Sequence, residues 1–259
     1  WIGLFSYTGK VSYEYADQII TLCESNRAVQ LAEGADKQKT KIIPNGIFPE
    51  RYEKTLSRFK EREKKPPFIV GFVGRVVSIK DIKTFLRAVK IVYDKLPDIQ
   101  VMIMGPTDEE LDYYYECLEL IDILEIKPII NFTGMVQLDD NYDKIDVLVL
   151  TSISEAQPLV ILEANCIGIP VVATDVGACS ELLNGGSEED RNLGPSGIIT
   201  GVANPRETAH GILALLQDLS LNYQYGQNGI KRVHKFYRQQ DLLAEYNTLY
   251  ENLKYANKV

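Results

Sequence analysis

The sequence predicts an α/β fold: a parallel sheet with helices on both faces. Three observations carry that expectation. Short runs rich in Val, Ile and Leu recur from residue 67 to residue 200. Segments with helical apolar spacing separate them. The runs are nearly continuous in apolar character, as strands buried on both faces are, and do not alternate as half-exposed strands do.

Taken in order, DQIITLC (residues 17–23) reads as a short buried strand. SNRAVQLAEGA reads as a helix with Ser25 as its cap and Gly34 near its end. Residues 41–47, KIIPNGI, read as a strand entering a turn, where Asn45 and Gly46 favour the bend. The charged, Pro-bounded stretch from Pro49 to Pro67 reads as a linker. Strands follow at PFIVGFVG (67–74), IQVMIMG (99–105), IINFTG (129–134), IDVLVL (145–150), PVVAT (170–174) and GIIT (197–200). Helices are expected at about 80–95, 108–126, 158–167, 205–218, 220–236 and 239–255. There are no fixed-period repeats and no low-complexity tracts.

Composition narrows the function. A chain of 259 residues with 45% hydrophobic and 25% charged side chains has the material for a globular core. A net charge of −8 argues against general nucleic-acid binding and against a polybasic membrane surface. An anionic ligand would then need a local cluster of cations. No apolar run reaches the length of a membrane-spanning helix, and the start lacks the pattern of a signal peptide. Cys23, Cys117, Cys166 and Cys179 form no CxxC pair and read as buried free thiols of a reducing compartment. His210 and His234 lie far apart in helical patterns, which disfavours a metal site or a Ser/His/Asp triad.

The stretch from Thr151 to Gly177 is the most informative. Glu155 and Glu163 stand with seven residues between them. The first follows the IDVLVL strand, and the second lies inside the helix that begins near Pro158. Ligands of open α/β sheets bind outside the carboxyl ends of the strands, so both acids should border one cleft. A carboxylate accepts two hydrogen bonds from neighbouring hydroxyls, which suits a polyhydroxylated ligand. In FVGRVVSIKD, Gly74 permits a tight turn and is followed by Arg75 and Lys80. Arginine forks onto phosphate oxygens and lysine acts as a mobile point charge, although both also occur as ordinary surface cations. The first N–H groups after Pro158, from Leu159 and Val160, can face an anion for a modest ~0.3–1 kcal/mol. A glycosidase acid/base pair is disfavoured by this strand–loop–helix setting beside two cations. A dinucleotide dehydrogenase is disfavoured because GFVG lacks a third glycine.

These residues resemble a family pattern. Glu155, Glu163 and Ala164, followed by Gly168, Pro170, Val171, Val172 and Ala173, are similar to the signature of retaining glycosyltransferases with the GT-B fold, the large family 4 group. The resemblance runs from Ala16 to about the C-terminus. SISEAQPLVILEA, ATDVGAC (173–179) and EDRNLGPSG (189–197) resemble most the branch that serves Pel-type exopolysaccharide synthesis. The chain departs from the wider family at Ala156 and Pro158, where glycines are usual, and in the EDRNLGPSG loop, where the resemblance leaves room for contact with an acceptor or partner protein.

The resemblance implies a C-terminal piece of a larger protein, consistent with a start at Trp1. Residues 1–47 are then the tail of an N-terminal acceptor domain with the hinge, and 48–66 a linker. Residues 67–236 are a Rossmann-like donor-binding domain, and 237–259 a helix crossing back onto the acceptor domain. The apolar stripe of Leu242, Leu243, Tyr246, Leu249, Tyr250 and Leu253 would need that partner. Arg75 and Lys80 match the Gly-Arg-x4-Lys pattern that holds the nucleotide diphosphate and assists its departure. Glu163 matches the residue that holds the ribose diol, and Glu155 the one that contacts the donor sugar. Met135 and Val136 lie where the family binds the base through backbone groups. Gln157 is expected beside the sugar, and Gly105 borders the cleft or simply ends its strand.

The implied activity is metal-independent, retaining transfer from a nucleotide diphosphate sugar, with family precedent for UDP, to a growing polysaccharide or glycan. The sugar nucleotide is a substrate, so no cofactor is implied. The expected location is cytoplasmic, peripheral to a membrane through partners of a synthesis complex. A non-catalytic nucleotide-sugar sensor on the same fold, or an epimerase, would share the scaffold. The acidic stretches 108–112 and 139–146 read as solvated faces and caps, and Tyr113 to Tyr115 as helix packing.

Overall fold

The computed structural model describes residues 2–135 and 141–256. Among these residues the main sheet has six parallel strands and a smaller one has two. After an opening helix α1 (Ile2–Tyr15), which the sequence reading did not assign, β1 (Ile19–Thr21) and β2 (Thr40–Ile42) pair in parallel across the crossover helix α2 (Glu24–Ala32). Ser25 does not cap α2. Cys23 occupies the cap position, and the Ser25 hydroxyl donates instead to the Gly177 carbonyl at 3.0 Å.

The stretch expected as a linker contains a helix. Pro49–Tyr52 form one 3₁₀ turn and α3 (Glu53–Glu61) follows. Its heavy charge hides a short apolar stripe, of which Thr55 and Phe59 are buried.

The main sheet comprises β3 (Phe68–Val73), β4 (Ile99–Met104), β5 (Ile130–Gly134), β6 (Val147–Leu150), β7 (Val171–Thr174) and β8 (Gly197–Thr200). Every expected strand is present. Their spatial order is β5-β4-β3-β6-β7-β8. Because side chains alternate along a strand, Val147 and Val149 of β6 enter one core layer while Leu148 and Leu150 enter the other. The first layer is closed by α4 (Ile82–Lys95), α5 (Leu111–Ile123) and α9 (Pro205–Gln217). The second is closed chiefly by α6 (Leu159–Ile167) and α7 (Cys179–Asn184). Each Leu, Ile or Val fully removed from water in this way contributes roughly 1.5–3 kcal/mol, so burial on both faces dominates the stability of the sheet.

Beyond α8 (Glu188–Arg191), α10 (Leu219–Phe236) packs on α6, and α11 (Gln239–Ala256) runs back beside the small sheet, where Glu245 pairs with Lys41 of β2 at 3.1 Å. The Asn45–Ile47 turn seals this return. The N–H of Ile47 donates to the Tyr237 carbonyl at 2.9 Å, and that of Gln239 to the Ile47 carbonyl at 2.7 Å. On the expected α11 stripe, Leu242 is buried, whereas Leu243 and Tyr250 are exposed.

The EDRNLGPSG loop is anchored in the core through Asp190, Ser196 and Gly197, while Glu189, Arg191, Asn192 and Pro195 stay exposed. Arg232 of α10 is fully buried and directs Nε to Asp190 Oδ1 at 2.6 Å. Its remaining nitrogens donate to the carbonyls of Leu183, Asp190 and Gly194 and to the Ser196 hydroxyl. The four cysteines are buried free thiols, and burial pushes Cys117 up to about 11 and Cys166 and Cys179 up to about 12. Among the described residues, no helix is long and apolar enough to cross a membrane.

Candidate functional site

The chain leaves β3 toward β4 and β5, then returns to the other side of β3 with β6. This reversal opens a crevice beyond the carboxyl ends of β3 and β6, where such sheets bind ligands. The loop after β3 brings Gly74, Arg75 and Lys80 to it, and the loop after β6 brings Thr151 to Glu155. Gly74 has φ +153°, which side-chain-bearing residues rarely adopt, and Gly105 at the end of β4 packs on its carbonyl.

Lys80 and Glu155 meet across the seam. Lys80 Nζ donates to Glu155 Oε1 at 2.5 Å, with side-chain exposures of 17% and 13%. At that burial the attraction is screened less than on an open surface. The Ser152 hydroxyl donates to the same oxygen at 2.6 Å. Backbone and threonine contacts hold both loops. Thr151 Oγ1 donates to the Lys80 and Asp81 carbonyls at 3.1 and 2.9 Å, and Thr174 Oγ1 to the Ser152 carbonyl at 2.6 Å. Gly177, at φ +52°, packs so closely on the Glu155 carbonyl that an added Cβ would lie 2.1 Å from it.

Helix α6 opens toward the same crevice. Pro158 is its cap residue and supplies no side-chain acceptor, so the Leu159 and Val160 N–H groups lack a side-chain cap. One turn in, Glu163 Oε2 accepts from the hydroxyl of the fully buried Tyr142 at 2.7 Å. The sequence reading missed Tyr142, Thr151 and Ser152. Tyr142 stands in an acidic stretch, and its role depends on a partner 21 residues away. The Thr and Ser ending the β6 run were the available signal for the other two.

Two expectations are corrected. Gln157 was placed beside the sugar, but it is buried with both amide groups occupied: Nε2 donates to the Asn45 carbonyl at 2.9 Å, and Oε1 accepts from the Asn45 N–H at 2.7 Å. It fastens the turn after β2 to the loop between β6 and α6. Second, residues 141–146 are no solvated cap. Asp146 is buried, accepts from Arg62 and from the Ile69 N–H, and burial pushes its carboxyl upward. The stretch 108–112 is exposed throughout, as expected of a solvated face, and Glu110 takes the cap position of α5; Glu109 accepts from Arg75 Nη1 at 2.7 Å and Glu110 from the Ser78 N–H at 2.9 Å. Arg75 is therefore at the crevice but directed to Glu109, about half exposed, apart from the Lys80–Glu155 pair.

Met135 follows β5 at the sheet edge and is exposed; Val136, expected beside it, lies outside the described residues, as do Asp139 and Asp140. Tyr114 packs edge-on against Phe132, and Tyr113 accepts from the Lys83 N–H, so these tyrosines serve helix packing. Among the described residues, no group of three or more His, Cys, Asp or Glu side chains comes together to hold a metal ion.

Comparison with known proteins adds the following. The profile described as "Glycosyl transferases group 1" matches residues 53–232, and one described as a domain of unknown function (DUF3492) matches residues 1–38. The capsular polysaccharide biosynthesis glycosyltransferase CapM of Staphylococcus aureus is 25% identical over 257 residues, covering 93% of this chain and 63% of CapM. Anabaena HepE, solved with UDP and glucose, superposes with a TM-score of 0.80 at 20% identity, over 95% of this chain and 67% of HepE. Sucrose-phosphate synthase of Thermosynechococcus elongatus superposes at 0.82 with 22% identity, over 97% and 62%. The structural likenesses establish a shared fold. The chain spans about half to two thirds of the length of the curated relatives it matches.

Proposed function

The chain belongs to the glycosyl transferases group 1 family, and from that premise we propose that it is the donor-binding part of a retaining glycosyltransferase that uses a UDP-sugar. The observation that carries this reading is the half-buried Lys80–Glu155 pair at the reversal of strand order, beside the open first turn of α6. The UDP and glucose in HepE favour uridine and a hexose.

In this reading Lys80 and Arg75 take the diphosphate oxygens, joined by the N–H groups of Leu159 and Val160. Arg75 exchanges Glu109 for phosphate. Glu163, held by Tyr142, accepts from the ribose hydroxyls, and the loop at Met135 and Val136 meets the base. Glu155 accepts from sugar hydroxyls and stabilises positive charge developing at the anomeric carbon. The bond from that carbon to the diphosphate breaks, and the acceptor oxygen bonds to the same face. The acceptor's proton passes to the departing phosphate, whose growing charge the two cations neutralise. No metal or cofactor enters the step.

The acceptor is a growing polysaccharide or glycan, as the CapM relationship and the Pel-type motifs favour. Residues 1–47 complete the acceptor side together with a further domain, 48–66 connect, 67–236 bind the donor, and 237–259 cross back. The protein works at the cytoplasmic face of a membrane with the partners of a synthesis complex. Calorimetric titration with UDP, GDP and ADP in EDTA tests the reading. UDP-selective binding that Lys80→Ala weakens by about 10- to 150-fold is expected. Binding that is indifferent to the base, or to Lys80, would contradict it.

A further inference from the structure

A second cavity lies at the opposite end of the strands. Here α3, the turn after α6 and α10 enclose about 480 Å³, next to Asp146 at the start of β6 and Lys64 before β3. Among the described residues that line it, Lys60, Arg62 and Lys64 are cations and none is acidic. In a chain of net charge −8, that concentration of positive charge is unusual.

The cations are incompletely matched. Arg62 gives Nη1 to the Lys144 carbonyl and Nη2 to Asp146 and the Ile145 carbonyl. Its Nε–H is buried and has no partner among the described residues. Lys64 Nζ lies 2.6 Å from Asn222 Oδ1 and over the Phe59 ring at 4.5 Å. Lys60 makes no ion pair among the described residues, and it lies on the exposed side of α3. With Asp146 the carboxylate Arg62 holds, the three cations leave two positive charges for a ligand. Phe59, Tyr223 and Ile230 supply an apolar wall beside them.

We propose that this cavity is a second ligand site, for a phosphate monoester that carries an apolar or aromatic group. A phosphate dianion matches the two uncompensated charges. The ammonium groups of Lys60 and Lys64 donate to its oxygens beside the Arg62 guanidinium, while the apolar body lies against Tyr223 and Ile230. The inference stands apart from the donor reading, because the site shares no side chain with the crevice. It does share a helix: α6 begins at the crevice, and its C-cap Gly168 borders the cavity. A soluble ester and a lipid headgroup share this chemistry, and the test separates the two.

Titrations would use phenyl phosphate, inorganic phosphate, and phosphatidylcholine vesicles with and without phosphatidic acid. Lys60→Glu and Tyr223→Ala change exposed residues and should leave the fold intact by circular dichroism. Phenyl phosphate should bind, and Lys60→Glu should weaken it by about tenfold or more. Tyr223→Ala should weaken phenyl phosphate but not inorganic phosphate. Lys80→Ala, a change in the crevice, should leave the affinity unaltered. Binding to phosphatidic acid vesicles alone, lost in Lys60→Glu, supports the site with a lipid source. Binding of none of the probes, equal affinity for inorganic and phenyl phosphate, or indifference to Lys60→Glu overturns it.

Discussion

Lys80 Nζ lies 2.5 Å from Glu155 Oε1 and so ties the loop after β3 to the loop after β6. The pair spans the two strand ends between which the order of the sheet reverses. On the proposed reading Lys80 serves two anions, the diphosphate and Glu155, whereas Glu155 serves the sugar. Lys80→Ala should therefore lower UDP affinity by about 10- to 150-fold. Glu155→Ala should leave it within a few-fold while abolishing transfer in the full-length protein. Calorimetry and a transfer assay check the pair together, and equal losses of UDP affinity would contradict the division of roles.

Tyr142 donates to Glu163, and on the proposed reading it acts through that carboxylate as a positioning residue. Tyr142→Phe keeps the buried ring and removes one hydrogen bond to a carboxylate, worth ~1.5–3 kcal/mol. UDP affinity should fall by about tenfold or more. A 2′,3′-dideoxy analogue, lacking the diol, should bind wild type and variant alike. A parallel loss for both ligands would assign Tyr142 a purely structural role.

Gly177→Ala should damage transfer more than nucleotide binding. The new Cβ would press on the Glu155 carbonyl at 2.1 Å, displacing the sugar-facing loop and leaving Lys80 and α6 largely in place. Turnover and UDP affinity, measured on the same folded variant, separate the two effects.

Asp190→Ala should cost roughly 3–5 kcal/mol in urea unfolding, because it strands the buried Arg232 guanidinium. Replacing both residues with apolar side chains should cost less than the sum of the single changes. Additive losses would show that the pair is not coupled.

Lys64 gives stability a pH signature. Burial brings its ammonium down to about 8 from 10.5, so between those values the unfolded chain binds more protons than the folded one. Stability from this group therefore rises with pH across that window, and below pH 8 the cost of the buried charge is felt in full. The cost is on the order of 3 kcal/mol. Lys64→Met should be the more stable protein at pH 7, with the gap to wild type closing by about pH 10.5. The raised thiols ionise first in the unfolded chain and pull stability down above pH 9 in both proteins, so the difference in urea midpoints isolates Lys64.

Much of the fold was legible because it is locally encoded. Continuous apolar runs such as IDVLVL give strands wherever both faces are covered, and each run became one. Glu155 and Glu163 were legible as crevice residues because strand-end loops of such sheets converge, whereas Lys80 stood out from ordinary surface cations only through the family resemblance. What stayed hidden depends on distant partners. Glu53–Glu61 looked like a linker because α3 buries so little of a charged surface. Asp190 looked like a loop residue until Arg232, 42 positions later, was seen to take it inside. Gln157 looked like a sugar contact because its partner, Asn45, is 112 positions away.

That Gln157–Asn45 clamp limits how freely the two halves of such a protein can be exchanged. Because Gln157 offers one donor and one acceptor, both met by a single backbone unit, any substitute first half must bring a turn of the same shape to the same place. A chimera joined upstream of Asn45 keeps this lock, whereas one joined between residues 46 and 66 inherits a foreign turn against an unforgiving amide. Grafting experiments on this scaffold should therefore move Asn45 and Gln157 as a unit, with the splice placed before β2.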